Sequence, residues 1–233
     1  MVANESNTTN GPVIEAAGVS RVFGSGDTAV TALSTISLNI NQGEFLAVTG
    51  RSGSGKTTLL NLLSGLDSPS SGSVRFGGVD LSNMKEADLV SMRRHKIGFV
   101  FQSFGLMPLL SAQENVELPL HIGGVSWRER RERADEALDA VGLTSRARHR
   151  PFELSGGEQQ RVSIARALVT GPAVVFADEP TGELDTATAR SIADTLGEVA
   201  ASRRATVVVA THDLDLADTA HRRIDLVDGV IVS

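Results

Sequence analysis

One segment of the 233-residue chain constrains its fold more than any other: a glycine-rich turn that lies between an apolar run and a helical pattern. The run Phe45–Thr49 has the length and composition of a buried strand, and the residues Gly50–Thr57, GRSGSGKT, fit the phosphate-binding pattern G-x-x-x-x-G-K-[ST]. The apolar spacing that follows predicts a helix from about Lys56 to Leu66. This order of strand, turn and helix predicts an α/β protein that binds a nucleotide.

The residues of this loop predict separate roles in holding phosphates. Glycines let successive backbone N–H groups turn toward phosphate oxygens, and the positive end of the helix dipole lies at the same point. Lys56 would neutralise the charge of the β- and γ-phosphates, and the Thr57 hydroxyl would ligate Mg²⁺. The predicted nucleotide contacts in this segment are Gly50, Arg51, Ser52, Gly53, Ser54, Gly55, Lys56, Thr57 and Thr58.

A second apolar run, Ala173–Ala177, ends in two carboxylates, Asp178 and Glu179. Ligand sites of parallel sheets lie at the carboxyl ends of the strands, so both acids should reach the phosphate site. Asp178 suits the Mg²⁺ shell, and Glu179 suits polarising an attacking water as the general base. The alternative is an acidic turn before Pro180. Without the glycine-rich loop, the sequence would support the two interpretations equally.

A third segment, Leu154-Ser-Gly-Gly-Glu158, precedes a helix predicted from about Glu158 to Val169. A serine at the N-cap, two glycines and a helix N-terminus form a second anion-binding device. A loop that merely starts a helix is the alternative, and we would favour it without other context. Two phosphate-binding segments in one chain suggest that a nucleotide is sandwiched between two copies of the protein.

The remaining pattern indicates the architecture. Val13–Val19 and Thr31–Ile40 are predicted strands, and Thr186–Ala201 and Thr206–Ala210 are a predicted helix and strand. Strands that alternate with helices predict a mostly parallel α/β sheet. From about residue 112 to residue 141 the pattern is helical, which indicates a helical insertion.

Within this insertion, Trp127, Ala134, Leu138 and Val141 are predicted to share one helix face. The run Arg128–Arg133 alternates arginine and glutamate, which indicates a solvated helix face rather than a partner-binding patch.

Composition excludes several classes of function. The chain has no cysteine, which excludes disulfides and thiolate metal sites and fits a reducing cytosol. Its formal net charge of −6 argues against a nucleic-acid footprint and against adhesion to anionic lipid. No apolar stretch approaches the roughly 18 residues that cross a bilayer, and the N-terminus lacks the pattern of a secretory signal. At a membrane, a protein partner would have to hold the chain.

Leu154-Ser-Gly-Gly-Glu-Gln-Gln resembles the signature motif of ATP-binding-cassette (ABC) ATPases, whose usual form is L-S-G-G-Q, and we call residues 154–158 the signature segment. The order of the motifs also matches, and the resemblance extends from about Ile14 to Ile231. It implies a P-loop core with a mostly parallel sheet, an N-terminal antiparallel β subdomain and a helical subdomain inserted at approximately 103–168. We therefore expect a single domain at 12–233, and the polar composition of residues 1–11 predicts a disordered tail there. Contacts to ATP from Ser155, Gly156, Gly157 and Glu158 are also implied.

Four further residues match smaller motifs of this family. Gln102 resembles the glutamine that contacts Mg²⁺ or the attacking water, and His212 resembles the histidine that contacts the γ-phosphate. Asp185, in Gly182-Glu-Leu-Asp, resembles the segment that crosses the dimer interface. Phe23 resembles the aromatic residue that stacks on adenine, although it could instead belong to the core. Glu158 departs from the commoner glutamine, but no group that hydrolysis requires is missing.

Several stretches, among them Ile97–Leu110, are similar to the ATPases of lipoprotein release, macrolide export and antimicrobial-peptide resistance. This resemblance implies an ATPase that uses ATP and Mg²⁺, dimerises with a second copy of itself and drives an integral-membrane permease from the cytoplasmic face of the plasma membrane. An ATPase of a non-transporting cell-division or signalling complex is the main alternative, because it shares every motif. A soluble protein of DNA repair or translation is a weaker alternative.

Overall fold

The computed structural model describes residues 11–202 and 205–233, so the tail expected at 1–11 lies outside the described residues apart from Gly11. The described part contains ten strands and seven α-helices. The strands are β1 (Ile14–Phe23), β2 (Val30–Ile40), β3 (Phe45–Thr49), β4 (Ser71–Phe76), β5 (Val79–Asp80), β6 (Ile97–Phe101), β7 (Val174–Asp178), β8 (Thr206–Thr211), β9 (Arg222–Val227) and β10 (Val230–Ile231). The helices are α1 (Lys56–Leu63), α2 (Glu86–Lys96), α3 (Ala112–Ile122), α4 (Trp127–Ala140), α5 (Gly156–Leu168), α6 (Thr186–Ala201) and α7 (Leu214–Ala217).

The N-terminal strands form an antiparallel sheet of order β2-β1-β4-β5. Strand β1 continues past the predicted end at Val19 as far as Phe23, because Phe23 pairs with Val30 of β2. Strand β2 follows the predicted alternation from Ile36 to Ile40, where Ile36, Leu38 and Ile40 are buried, and a register shift separates this stretch from the buried Leu33. The antiparallel subdomain expected from the sequence is therefore confirmed.

The second sheet has the order β10-β9-β3-β8-β7-β6, and all its pairs are parallel except β10 with β9. Both faces of its central strands are covered. Phe45 and Ala47 of β3 pack into the cluster formed by helices α3 to α6, whereas Leu46 and Val48 pack into the cluster formed by α1 and the antiparallel sheet. Burial on two faces explains why this strand is apolar throughout rather than alternating. The mostly parallel sheet is confirmed.

Helices α3, α4 and α5 form the helical insertion, and each begins with a serine N-cap. Ala134 and Leu138 of α4 are fully buried, as the periodicity predicts, and Val141 is also buried. Trp127 has the helical spacing of this face, but it is 63% exposed. Trp127 is the first residue of α4, and periodicity gives a direction around a helix axis but not how far along the axis the core extends.

The end of α1 also differs from the sequence prediction. Helix α1 ends at Leu63 rather than Leu66, since Gly65 adopts the left-handed backbone (φ 67°) that is common after a helix end. Strand β4 begins at Ser71, because Ser71 pairs with Ser20 of β1. Of the helices in residues 11–202 and 205–233, none combines the length and apolarity that crossing a membrane needs.

Candidate functional site

The glycine-rich loop connects the end of β3 to the start of α1 and is shaped by backbone conformations that only glycine adopts easily. Gly50 has φ 153°, and a Cβ atom there would lie 2.3 Å from the carbonyl oxygen of Leu226. Gly55 has φ 104°, and its Cβ would lie 2.6 Å from the carbonyl oxygen of Ala32. The loop therefore passes close to the backbones of β9 and β2, and a side chain at either glycine would displace it.

The Lys56 ammonium lies at the mouth of this loop. Its Nζ donates to the carbonyl oxygens of Gly50, at 2.8 Å, and of Arg51, at 3.2 Å. It also forms an ion pair with Glu179 at 3.3 Å from Oε1, and both side chains are largely buried. The positive charge is thus held among acceptors that a phosphate group can replace.

Asp178 ends β7 opposite the first turn of α1. Its Oδ2 accepts a 2.8 Å hydrogen bond from the Thr57 hydroxyl, while its buried Oδ1 has no hydrogen-bond partner among the described residues. Desolvation raises the pKa of Asp178, and the Glu179 charge adds to the rise against the lowering effects of Thr57 and Lys56. A buried carboxylate oxygen without a partner beside a hydroxyl suits a hard divalent cation, and Mg²⁺ in particular uses few protein ligands beside substrate phosphates.

Glu179 and His212 lie on neighbouring strand ends and are joined by two hydrogen bonds. Glu179 has the uncommon left-handed backbone (φ 47°), and its N–H donates to the carbonyl oxygen of Ala210 in β8. Its Oε2 accepts from His212 Nδ1 at 2.8 Å and from the His212 backbone N–H at 3.2 Å. The Glu179 carboxylate is therefore held between Lys56 and His212, and the strained backbone conformation of Glu179 itself sets its direction.

One open cavity of about 710 Å³ brings the predicted groups together. Its lining comprises Ala32, Arg51, Ser52, Gly53, Gly55, Lys56, Thr57, Thr58, Gln102, Asp178, Glu179 and His212. Of the predicted contacts in the glycine-rich loop, Gly50 and Ser54 do not line it, and the Ser54 side chain is buried. Ala32 was not predicted, because only the approach of β2 to the loop brings it there.

Gln102 follows the end of β6, and its Nε2 lies close to Gly182, where an added Cβ would be 3.0 Å away. Asp185 caps α6, accepting 3.1 Å hydrogen bonds from the backbone N–H groups of Ala187 and Thr188. A role at a dimer interface therefore remains a prediction for Asp185, which already has a local structural function.

Phe23 is 43% exposed and lies beneath the Arg21 guanidinium, whose Cζ is 4.5 Å from the ring centroid. The alternative that Phe23 belongs to the core is therefore wrong. It does not line the cavity, so stacking on adenine stays a prediction.

The signature segment forms the N-terminus of α5. The Glu158 N–H donates to Ser155 Oγ at 3.3 Å, and the Ser155 N–H donates to Glu158 Oε2 at 2.8 Å. These hydrogen bonds from Ser155, with an ion pair to Arg146, lower the pKa of Glu158. A Cβ at Gly157 would lie 2.3 Å from Thr188 Cγ2, so α5 packs closely on α6. In the described chain no signature residue lines the cavity that contains Lys56.

Comparison with known proteins gives consistent matches over most of the chain. Residues 33–182 match the family described as ABC transporter. The macrolide export ATP-binding/permease protein MacB of Marinobacter nauticus is 47% identical over 95% of this chain, which spans 34%, about a third, of that relative's length. The lipoprotein-releasing system ATP-binding protein LolD of Geobacter metallireducens is 48% identical over 95% of this chain and 98% of its own.

Solved structures share the fold. A dimeric structure of a post-hydrolysis state of the ATP-binding cassette MJ0796, bound to ADP and Pi, has a TM-score of 0.86 and 43% identity. The match covers 94% of this chain and 97% of that one. The structure of cbiO1 from Clostridium perfringens, part of the ABC transporter complex cbiONQ, also has a TM-score of 0.86, at 28% identity over 96% of this chain.

Proposed function

Because the chain belongs to the ABC transporter family, we propose that it is an ATP-hydrolysing subunit that works as a dimer and powers a separate membrane permease. The observation that carries this proposal is the cavity in which Lys56, Asp178, Glu179 and His212 converge. The signature segment lies outside this cavity, so the site of one chain lacks its second phosphate-binding segment. A second copy would supply it.

In this proposal the loop and α1 bind the triphosphate. Lys56 exchanges its backbone and Glu179 acceptors for β- and γ-phosphate oxygens, which keeps its charge compensated throughout. Thr57 and Asp178 would hold Mg²⁺, with Gln102 at its edge, and the bound ion would neutralise charge that develops on the phosphates. Asp178 must be ionised for this role.

Glu179 is the proposed general base. Once phosphate oxygens compensate Lys56, the Glu179 carboxylate is free to accept a proton from the attacking water. His212 donates to the same carboxylate through its ring and its backbone, so it orients the base and keeps it aimed into the cavity. The ends of strands β7 and β8, together with the left-handed backbone of Glu179, fix this arrangement before the nucleotide binds.

The second copy closes the site. Two chains related by a twofold axis place the signature segment of each over the loop of the other, because a contact from one chain to its partner is repeated in reverse. The N-terminus of α5, with Ser155 to Gly157, then presents N–H groups and a positive dipole end to the γ-phosphate. ATP binds the closed dimer better than the separate chains, and hydrolysis removes the group that bridges them.

The rate of MgATP hydrolysis per chain should rise with protein concentration and then reach a plateau, because only dimers contain complete sites. Phosphate release is measured over a dilution series of the purified chain, with EDTA as the control that should abolish it. A per-chain rate that stays constant while light scattering reports monomers would contradict the dimeric site.

A second, more apolar cavity of about 470 Å³ is the proposed docking site of the permease. It is lined by Phe99 and Phe101 of β6, by Leu118 and Ile122 of α3 and by Arg94 of α2. Phe101 immediately precedes Gln102, so an occupant of this groove acts next to the nucleotide site. The names of the MacB and LolD relatives favour transport over a purely regulatory complex, and a permease would hold the chain at the cytoplasmic face of the membrane.

Replacing Ile122 with aspartate should reduce co-purification of the permease from membranes by about 10-fold or more, because a charge would be buried in an apolar contact. Ile122 is 57% exposed in the isolated chain. Val227→Asp is the matched control, since Val227 is 50% exposed and lies outside the groove. Equal recovery of the permease with both variants would contradict this docking site.

A further inference from the structure

Gln160 is a fully buried amide in the second turn of α5, the helix that the signature segment begins. Its Nε2 donates to the carbonyl oxygen of Pro180 at 2.6 Å and faces the carbonyl oxygen of Phe101 at 3.4 Å. Both neighbours are acceptors, so the NH₂ group must point toward them and the orientation of the amide is fixed.

One carbonyl group belongs to Phe101, the last residue of β6, and the other to Pro180, in the turn that follows β7. These strands are adjacent, and Phe101 and Asp178 are partners in their register. Pro180 directly follows Glu179, and Phe101 directly precedes Gln102. The Gln160 amide therefore joins the backbone that carries the proposed base to the backbone that carries Gln102, just beyond the last residues of the ladder.

The carbonyl oxygen of the Gln160 amide, in contrast to its NH₂ group, makes no hydrogen bond to the described residues. This oxygen, Oε1, is buried. Burying an unpaired carbonyl oxygen lowers stability, and an apolar side chain of similar length such as methionine would avoid that loss. The donor end, rather than packing, is what distinguishes glutamine at this position.

We infer that Gln160 is a positioning residue that connects the signature helix to Gln102 and Glu179 of its own chain. The inference rests on the proposed function and deepens it. In the dimer, the N-terminus of α5 contacts the nucleotide bound by the partner chain. Gln160 of the same helix holds the backbone beside the nucleotide bound by its own chain. One helix thus links the two sites, and closure over one nucleotide sets the position of the base at the other.

The test compares Gln160→Met and Gln160→Leu with Gln113→Met in the full chain. Both Gln160 variants lose the NH₂ donor at nearly constant size, and we expect kcat to fall about 10- to 100-fold, the scale of a small displacement of catalytic groups. KM for MgATP should change by about twofold at most, because Lys56 and the loop are untouched. Gln113→Met is the matched control, since Gln113 is also a buried amide that donates one 2.7 Å hydrogen bond, to Asp135 in the helical insertion.

A double-mutant cycle with Gln102→Ala separates positioning from a general loss of structure. If Gln160 acts partly through Gln102, Gln160→Met should reduce kcat several-fold less in the Gln102→Ala background than in the wild type. Purely additive effects, a kcat equal to that of Gln113→Met, or loss of MgATP binding in both Gln160 variants would each overturn the inference. A failure of the proposed function would give a different result from a failure of this inference, because the wild type and Gln113→Met would then also lack ATP hydrolysis.

Discussion

Replacing Glu179 with glutamine should reduce ATP hydrolysis by about 10²- to 10⁴-fold, the range that a general base contributes, while MgATP binding is retained. The amide has nearly the size of the carboxylate, and once phosphate oxygens compensate Lys56 its one oxygen can accept from the backbone N–H of His212. What the variant loses is the proton acceptor. Phosphate release and equilibrium binding of MgATP, measured on the same protein, separate the two effects.

The same variant should accumulate as an ATP-bound dimer. Hydrolysis is the step that separates the two chains in the proposed cycle, and removal of one negative charge beside the γ-phosphate also favours the closed state. Size-exclusion chromatography with MgATP should therefore show a dimer for Glu179→Gln and mainly monomer once ATP is withdrawn.

Glu44→Gln provides the matched control for this prediction. Glu44 is also largely buried and paired, with its Oε1 2.7 Å from the Arg222 Nε, but it lies outside the cavity. We expect near-normal hydrolysis from it. If Glu179→Gln hydrolyses ATP like Glu44→Gln, or remains monomeric with MgATP, then Glu179 is not the base and the cycle as described is wrong.

The sequence predicts the parts of this site that depend on neighbours along the chain. Strand β3, the loop and the start of α1 follow from an apolar run, glycines and a lysine in consecutive positions. Asp178 and Glu179 are predictable for a related reason, because an apolar run that ends in acids places them at the carboxyl edge of a parallel sheet. Helix α6 also matches its predicted bounds, since Asp185 is a strong N-cap.

The features that the sequence does not predict depend on partners far along the chain. Ala32 lines the cavity only because β2 passes beside Gly55. The hydrogen bond from Gln160 to the Pro180 carbonyl joins residues 20 positions apart, on a helix and on a turn after a strand, and no local pattern indicates it. The exposure of Trp127 likewise depends on where the core of the helical insertion ends.

Mixing two inactive variants, Lys56→Met and Ser155→Asp, should restore hydrolysis. Lys56→Met removes the charge that binds the phosphates, and Ser155→Asp places a negative charge where the γ-phosphate of the partner's nucleotide should lie. Aspartate is as good an N-cap as serine, so α5 keeps its start. In a mixed dimer one site carries both changes and the other site carries neither.

Equal amounts of the two variants should give at most about a quarter of the wild-type rate, because half of the dimers are mixed and each has one complete site of two. The control mixes Lys56→Met with the double variant Lys56→Met/Ser155→Asp, in which every site lacks the lysine and no recovery is expected. If each chain instead completed its own site, no mixture would exceed the sum of its components. Recovery in the first mixture alone requires that Lys56 and Ser155 act on one nucleotide from different chains.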